Sequence, residues 1–194
     1  MAKDLAEVDN TSIRKYYSNL SSNRKDIEKN SGNFELKYLL ALINSRVIQY
    51  FIHGASKGSI DFYPDDWKKI PVKKLSLIEQ APFVSLANYI IYLKTETLNT
   101  PEDQFMPSYF EQIIDGMVYE IYFSELLKKN NREILKHLGD LPELTDKMSD
   151  EKKMSLIKTV FNRLNEKDHP VRLNLFYMNS IPEIAIIEGK HAGN

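Results

Sequence analysis

Between Glu35 and Ile52 the apolar residues Leu36, Leu39, Leu40, Ile43, Val47, Ile48 and Phe51 recur at steps of three and four. That spacing commits the stretch to a helix with a broad buried face. The period returns from Glu79 to Lys94 (Phe83, Leu86, Ala87, Ile90, Ile91, Leu93), across Phe105 to Leu138 (Phe110, Ile113, Ile114, Met117, Val118), and after Ser149 (Met154, Ile157, Val160, Phe161). A chain carrying four such stripes must bury helix against helix. Beyond His169-Pro170 the period changes to two. Val171, Leu173, Leu175 and Tyr177 alternate with Arg172, Asn174 and Phe176, which predicts a strand, and Glu183 to Glu188 completes a hairpin across Asn179-Ser180-Ile181-Pro182. Residues Ile60 to Tyr63 read as extended, and Pro71 confines any strand near it to a sheet edge. The expected fold class is α+β, mainly helical with a small sheet or hairpin.

Gly54 to Ser59 breaks the first stripe with two glycines and small polar residues, and Lys128-Lys129-Asn130-Asn131 divides the third. Pro82 is tolerated in the first turn of its helix, and Ser149-Asp150-Glu151 opens another. With 194 residues, 42% of them hydrophobic, the chain can bury one core and has no room for several catalytic domains. It divides into a polar lead-in or cut linker (1–34), a core (35–100), and a helical extension (101–194) that ends in the hairpin.

The absence of Cys removes disulfides and thiolate chemistry. Neither a signal peptide nor a membrane span is legible, so the expected location is the cytoplasm. No two glycines stand one residue apart, no Pro-Pro occurs, and no glycine-rich loop ends in Lys-Ser/Thr. A methyltransferase core and a phosphate-cradling loop are therefore not expected. The four histidines are scattered without the spacing of a zinc site. One catalytic pattern remains, an acid followed by carboxylate-x-Lys at a strand end, as in metal-dependent nucleases. Asp168, Glu188 and Lys190 match it, although Glu35-Leu36-Lys37 and Glu151-Lys152-Lys153 match part of it too.

The order of several short motifs adds information. Leu36-Lys37-Tyr38-Leu39-Leu40-Ala41-Leu42-Ile43-Asn44-Ser45-Arg46-Val47-Ile48 is followed by Lys68-Lys69-Ile70-Pro71-Val72, then Glu79-Gln80-Ala81-Pro82-Phe83, and finally Ile114-Asp115-Gly116-Met117-Val118-Tyr119-Glu120-Ile121-Tyr122. This succession resembles the TaqI-like C-terminal specificity (target-recognition) domain of adenine-specific DNA methyltransferases and fused restriction-modification enzymes. Lys73 stands where that family usually has a second proline. Specificity subunits of type I restriction enzymes share a similar grammar. The resemblance implies a target-recognition-like fold and a non-catalytic DNA-reading role. It also implies double-stranded DNA and the catalytic domain or subunits of a parent restriction-modification enzyme as partners. No cofactor is expected in this fragment, while the parent would use S-adenosylmethionine and, if it cleaves, Mg²⁺.

Net charge is only −1, so a nucleic-acid footprint has to be local. Arg46 to Leu75 holds six basic and three acidic residues, whereas Pro101 to Glu125 holds six acidic and no basic one. The expected DNA-binding residues are Lys57, Ser59, Lys68, Lys69, Lys73 and Lys74, with Gly54 to Ser59 letting the backbone approach a phosphate. Trp67 and Tyr63 read as core anchors or as groups that stack on bases. Phe105 to Tyr122 reads as a packing helix, either internal or the surface of a docking module between restriction-enzyme subunits.

Overall fold

The computed structural model describes residues 24–55, 68–96 and 100–189. The chain forms two compact units, Met1–Phe34 and Glu35–Asn194. Within the first, α1 spans Arg24–Ser31. In the second, α2 (Leu36–Asn44), α3 (Arg46–Ala55), α4 (Leu77–Thr95) and α5 (Pro101–Tyr122) precede α6 (Ser124–Asn130) and a 3-10 turn, Leu135–His137. Helices α7 (Asp150–Leu164), α8 (Pro170–Met178) and α9 (Pro182–Ile187) follow.

The centre of the second unit is α5. It buries Met106, Phe110, Ile113, Ile114, Met117 and Val118, a band too wide for a single packed face. Helices α3, α4, α6 and α8 all pack on it. In its N-terminal half Tyr109 and Phe110 meet Phe161 of α7 at ring separations of 5.5 and 6.3 Å. Thr100 caps α5 by accepting from the Asp103 N–H at 3.0 Å, and Asp103 pairs with Lys158 of α7 at 2.8 Å. The Phe105 to Tyr122 stripe is thus spent inside this chain, with Phe105 half-exposed.

The predicted helix over Glu35 to Ile52 is two helices, broken at Ser45. This residue is extended (φ −72°, ψ 153°) and buried. Its hydroxyl donates to the Leu42 carbonyl at 2.7 Å and accepts from the Ile48 N–H at 3.4 Å, so one side chain serves both helix ends. The packed face of α2 is also rotated from the leucine stripe. Tyr38, Ala41 and Leu42 are buried, while Leu36 and Leu40 are exposed.

The structure corrects the α+β expectation: the described residues contain no strand. Pro170 and Pro182 each sit in the first turn of a helix, where a missing N–H costs nothing. The His169 Nδ1 accepts from the Val171 N–H at 3.3 Å and caps α8. Val171 and Met178, seven residues apart, face the core, and Ile181 and Ile184 do the same around α9. Over so short a segment, Val171 and Leu175 fit periods of two and of 3.6 equally well, and the proline caps decide for helix. Residues 71–76 form no strand either, and Ile60 to Tyr63 lies outside the described residues.

Two other expectations shift. Ser76 and Glu79 form a reciprocal capping box that starts α4 at Leu77, which puts Pro82 in its second turn. The carbonyl Pro82 leaves without its helical N–H belongs to Ile78, which is 85% exposed, on the solvent side. The break in the third stripe falls at Phe123, and Asn131 in the left-handed region (φ 54°) ends α6. Ser149 does cap α7, accepting from the Lys152 N–H.

Gly116 of α5 faces Leu175 and Met178 of α8. A Cβ there would lie 2.5 Å from Leu175 Cδ2 and 2.8 Å from Ile134 Cδ1, both ends of flexible side chains. Gly116→Ala is therefore expected to change stability by less than about 1 kcal/mol, the helix-propensity gain offsetting the repacking. Urea melts of the two proteins check this, and a loss of several kcal/mol would show that the interface cannot yield.

Candidate nucleic-acid interface

Of the expected DNA-binding residues, Lys57 and Ser59 lie outside the described residues, as do Tyr63 and Trp67. Lys68, Lys69, Lys73 and Lys74 are all exposed, on the coil that leads into α4. The coil is fastened to the core through its backbone. The Tyr38 hydroxyl of α2 donates to the Lys73 carbonyl at 2.6 Å. From the end of α5, the Tyr122 hydroxyl donates to the Pro71 carbonyl and accepts from the Lys73 N–H at 3.3 Å. Burial pushes both phenols above their usual range, so they stay neutral donors at physiological pH.

A second fastening lies just beyond. The fully buried Gln80 accepts from the Glu35 N–H at 2.8 Å and donates to the Leu75 carbonyl at 2.9 Å, clipping the start of α2 to the start of α4. Tyr38 meets Phe83 edge-on at 5.2 Å. Residues of the four ordered motifs are thus joined to one another by tertiary contacts, although they are spread over more than eighty positions of sequence. No side-chain chemistry was read into Tyr38, Gln80 or Tyr122 from the sequence. Their only signal was the improbability of a buried polar group without a partner.

Across the unit, the Ser45 break exposes the first N–H groups of α3, and Asp115 of α5 accepts from the Arg46 N–H at 2.8 Å. Asp115 and Arg46 stand between two depressions that share them. One, of about 510 Å³, is floored by Leu40, Ala87, Ile91 and Ile114; the other, of about 260 Å³, is bordered by Tyr119, Met178 and Glu188. Burial, reinforced by Glu188 and Glu111, raises the Asp115 carboxyl to about 7 against the opposing Arg46 contacts. Its place in the Ile114-Asp115-Gly116 motif gave no hint of this, because the helix end that it caps comes from a segment about 70 residues away.

The nuclease pattern loses its setting. Glu188 follows the helix α9 instead of a strand, and its Oε1 accepts from the Tyr119 hydroxyl at 2.5 Å. Asp168 is an exposed residue of the α7–α8 connection, and Lys190 lies outside the described residues. Among the described residues no three His, Asp or Glu side chains are gathered as a metal site requires, and no helix is long and apolar enough to cross a membrane. Against known protein families, curated proteins and solved structures the chain shows no significant match.

Proposed function

We propose that this chain is the DNA target-recognition fragment of a bacterial restriction-modification enzyme, reading duplex DNA for a catalytic domain or subunits supplied by the parent. Methyl transfer with S-adenosylmethionine, and any Mg²⁺-dependent cleavage, belong to that parent. The observation that carries the reading is the coil from Lys68 to Lys74, which presents four exposed lysines while two tyrosine hydroxyls hold its backbone. A row of cations on an immobilised backbone gives up little conformational entropy when it meets phosphates, so more of the electrostatic gain remains as affinity. Such contacts set register and orientation on the duplex, and base edges are then read by neighbouring side chains. The tertiary joining of the motif segments supports the same reading, because it gives a physical reason for those residues to occur together.

Single Lys→Ala replacements at 57, 68, 69, 73 and 74 test it. The hydrogen bonds at Lys73 are made by its backbone, so Lys73→Ala removes a charge and leaves the fastening in place. Each true phosphate contact is expected to lower the slope of log affinity against log salt by about one unit, starting from low salt where binding is strongest. Glu111→Ala, on the acidic helix, should leave the slope as it is. An absence of duplex binding at low salt, or unchanged slopes in all five lysine variants, would refute the interface.

A further inference from the structure

The outward face of α8 carries an arrangement that the proposed function does not use. Burying Val171 and Met178 turns the other side of this helix to solvent, where Leu173, Phe176 and Tyr177 are 39%, 73% and 45% exposed. The Phe176 and Tyr177 rings stand 5.3 Å apart in a T-shaped pair. Arg132, from the loop after α6, lies 4.7 Å over the Tyr177 ring. The Asn174 amide donates to the Glu133 carbonyl at 2.8 Å and fixes that loop against the helix.

The charge around these rings is one-sided. Residues 125–137 hold Lys128, Lys129, Arg132 and Lys136 against Glu125 and Glu133, α8 adds Arg172 and no acid, and Glu120 of α5 accepts from the Ile134 and Leu135 N–H groups of the loop, a local net of +2. Glu133 is engaged with Lys136 at 2.9 Å and Glu125 with Lys128 at 3.4 Å. Lys129, Arg132 and Arg172 make no ion pair among the described residues. Arg132 lies at the rings, while the Arg172 guanidinium donates to the Asn165 carbonyl at 2.7 Å; exposed rings with a cation over one of them, on a segment of net positive charge, complement a polyanion that also carries flat apolar groups.

We propose that α8 and the loop after α6 form a second DNA surface, which takes an unpaired single strand by stacking its bases on Phe176 and Tyr177. In a duplex the base faces are covered by their neighbours and no ring can stack on them; in a single strand every base offers a face. Lys129, Arg132 and Arg172 meet the phosphates, and Arg132 stacks as well as pairs. The choice of DNA rests on the function proposed above, whereas the surface shares no residue with the Lys68–Lys74 coil.

The test measures binding of the full chain at low salt to two fluorescein-labelled probes, an oligothymidylate of about twelve nucleotides and a duplex. Phe176→Ala is expected to weaken oligothymidylate binding roughly tenfold, equivalent to about 1.4 kcal/mol, and to leave duplex binding unchanged. Lys73→Ala should do the reverse. Because Phe176 is largely exposed, its variant should melt with the parent, which separates lost contact from lost fold. No oligothymidylate binding, or equal affinities for Phe176→Ala and the parent, would overturn the second surface. If the duplex fails to bind while the oligothymidylate binds through Phe176, the proposed function falls and this surface stands.

Discussion

Phe110→Ala is expected to lower the free energy of unfolding by about 3–5 kcal/mol, a large share of what a domain of this size possesses. Phe110 is fully buried and lies where three helices meet. Its ring is 5.7 Å from Tyr89 of α4 and 6.3 Å from Phe161 of α7. Tyr89 is tied by its hydroxyl to the Pro142 carbonyl and Tyr109 by its own to the Leu164 carbonyl. Neither ring can collapse into the space left by Phe110 without giving up a hydrogen bond. The cost should therefore fall at the upper end of the range for large-to-small core changes, since the cavity persists. Urea denaturation followed by far-ultraviolet circular dichroism measures it, the m-value staying constant if the unit still unfolds cooperatively. A loss below about 1 kcal/mol would show that α5 is not the central helix.

Asp115→Asn is expected to stabilise the protein at alkaline pH. The folded state holds the Asp115 proton up to about pH 7, whereas the unfolded chain releases it near the ordinary carboxyl value of 3.8. Between those two values the native state binds more protons than the unfolded state, so this group's contribution falls as pH rises and levels off above about 7. Asn keeps the oxygen that accepts the Arg46 N–H and never ionises. The two proteins should have equal stability near pH 4, with the variant gaining about 2 kcal/mol by pH 8. That figure is set below the full linkage value because Asp115 retains some solvent contact and lies at a helix N-terminus, which favours its charge. Melts from pH 4 to 8 decide the matter. Parallel curves for the two proteins would mean that Asp115 ionises in the fold as it does in water.

Helix positions and several helix ends were legible in the sequence, because they depend on residues adjacent in the chain. The three-and-four spacing located α2 to α5 and α7, and Ser149 marked the start of α7. Local information failed where two local readings were equivalent. The segment from Val171 to Tyr177 fits either period, and what separates them is the Pro170 first turn together with packing against Gly116 of α5. It failed again in choosing the face of α2. In Leu36-Lys37-Tyr38-Leu39-Leu40-Ala41-Leu42 most directions are apolar, and Tyr38 went inward because the Lys73 carbonyl was there to receive its hydroxyl.

The candidate interface divides along the same line. Charge is additive along a chain, so the cationic segment containing Lys68 to Lys74 could be read directly, and in the structure Lys68, Lys69, Lys73 and Lys74 are exposed. That this coil is held still, that Asp115 faces the end of α3, and that Arg132 lies over Tyr177 are pairings across roughly 35 to 70 residues of sequence. The sequence by itself determined the helices with a clear three-and-four stripe, α2 to α5 and α7, and where positive charge accumulates. The tertiary structure decided which polar groups are partnered and which aromatic rings remain in solvent, because burial and hydrogen bonding are properties of neighbours in space that only the packed helices bring together.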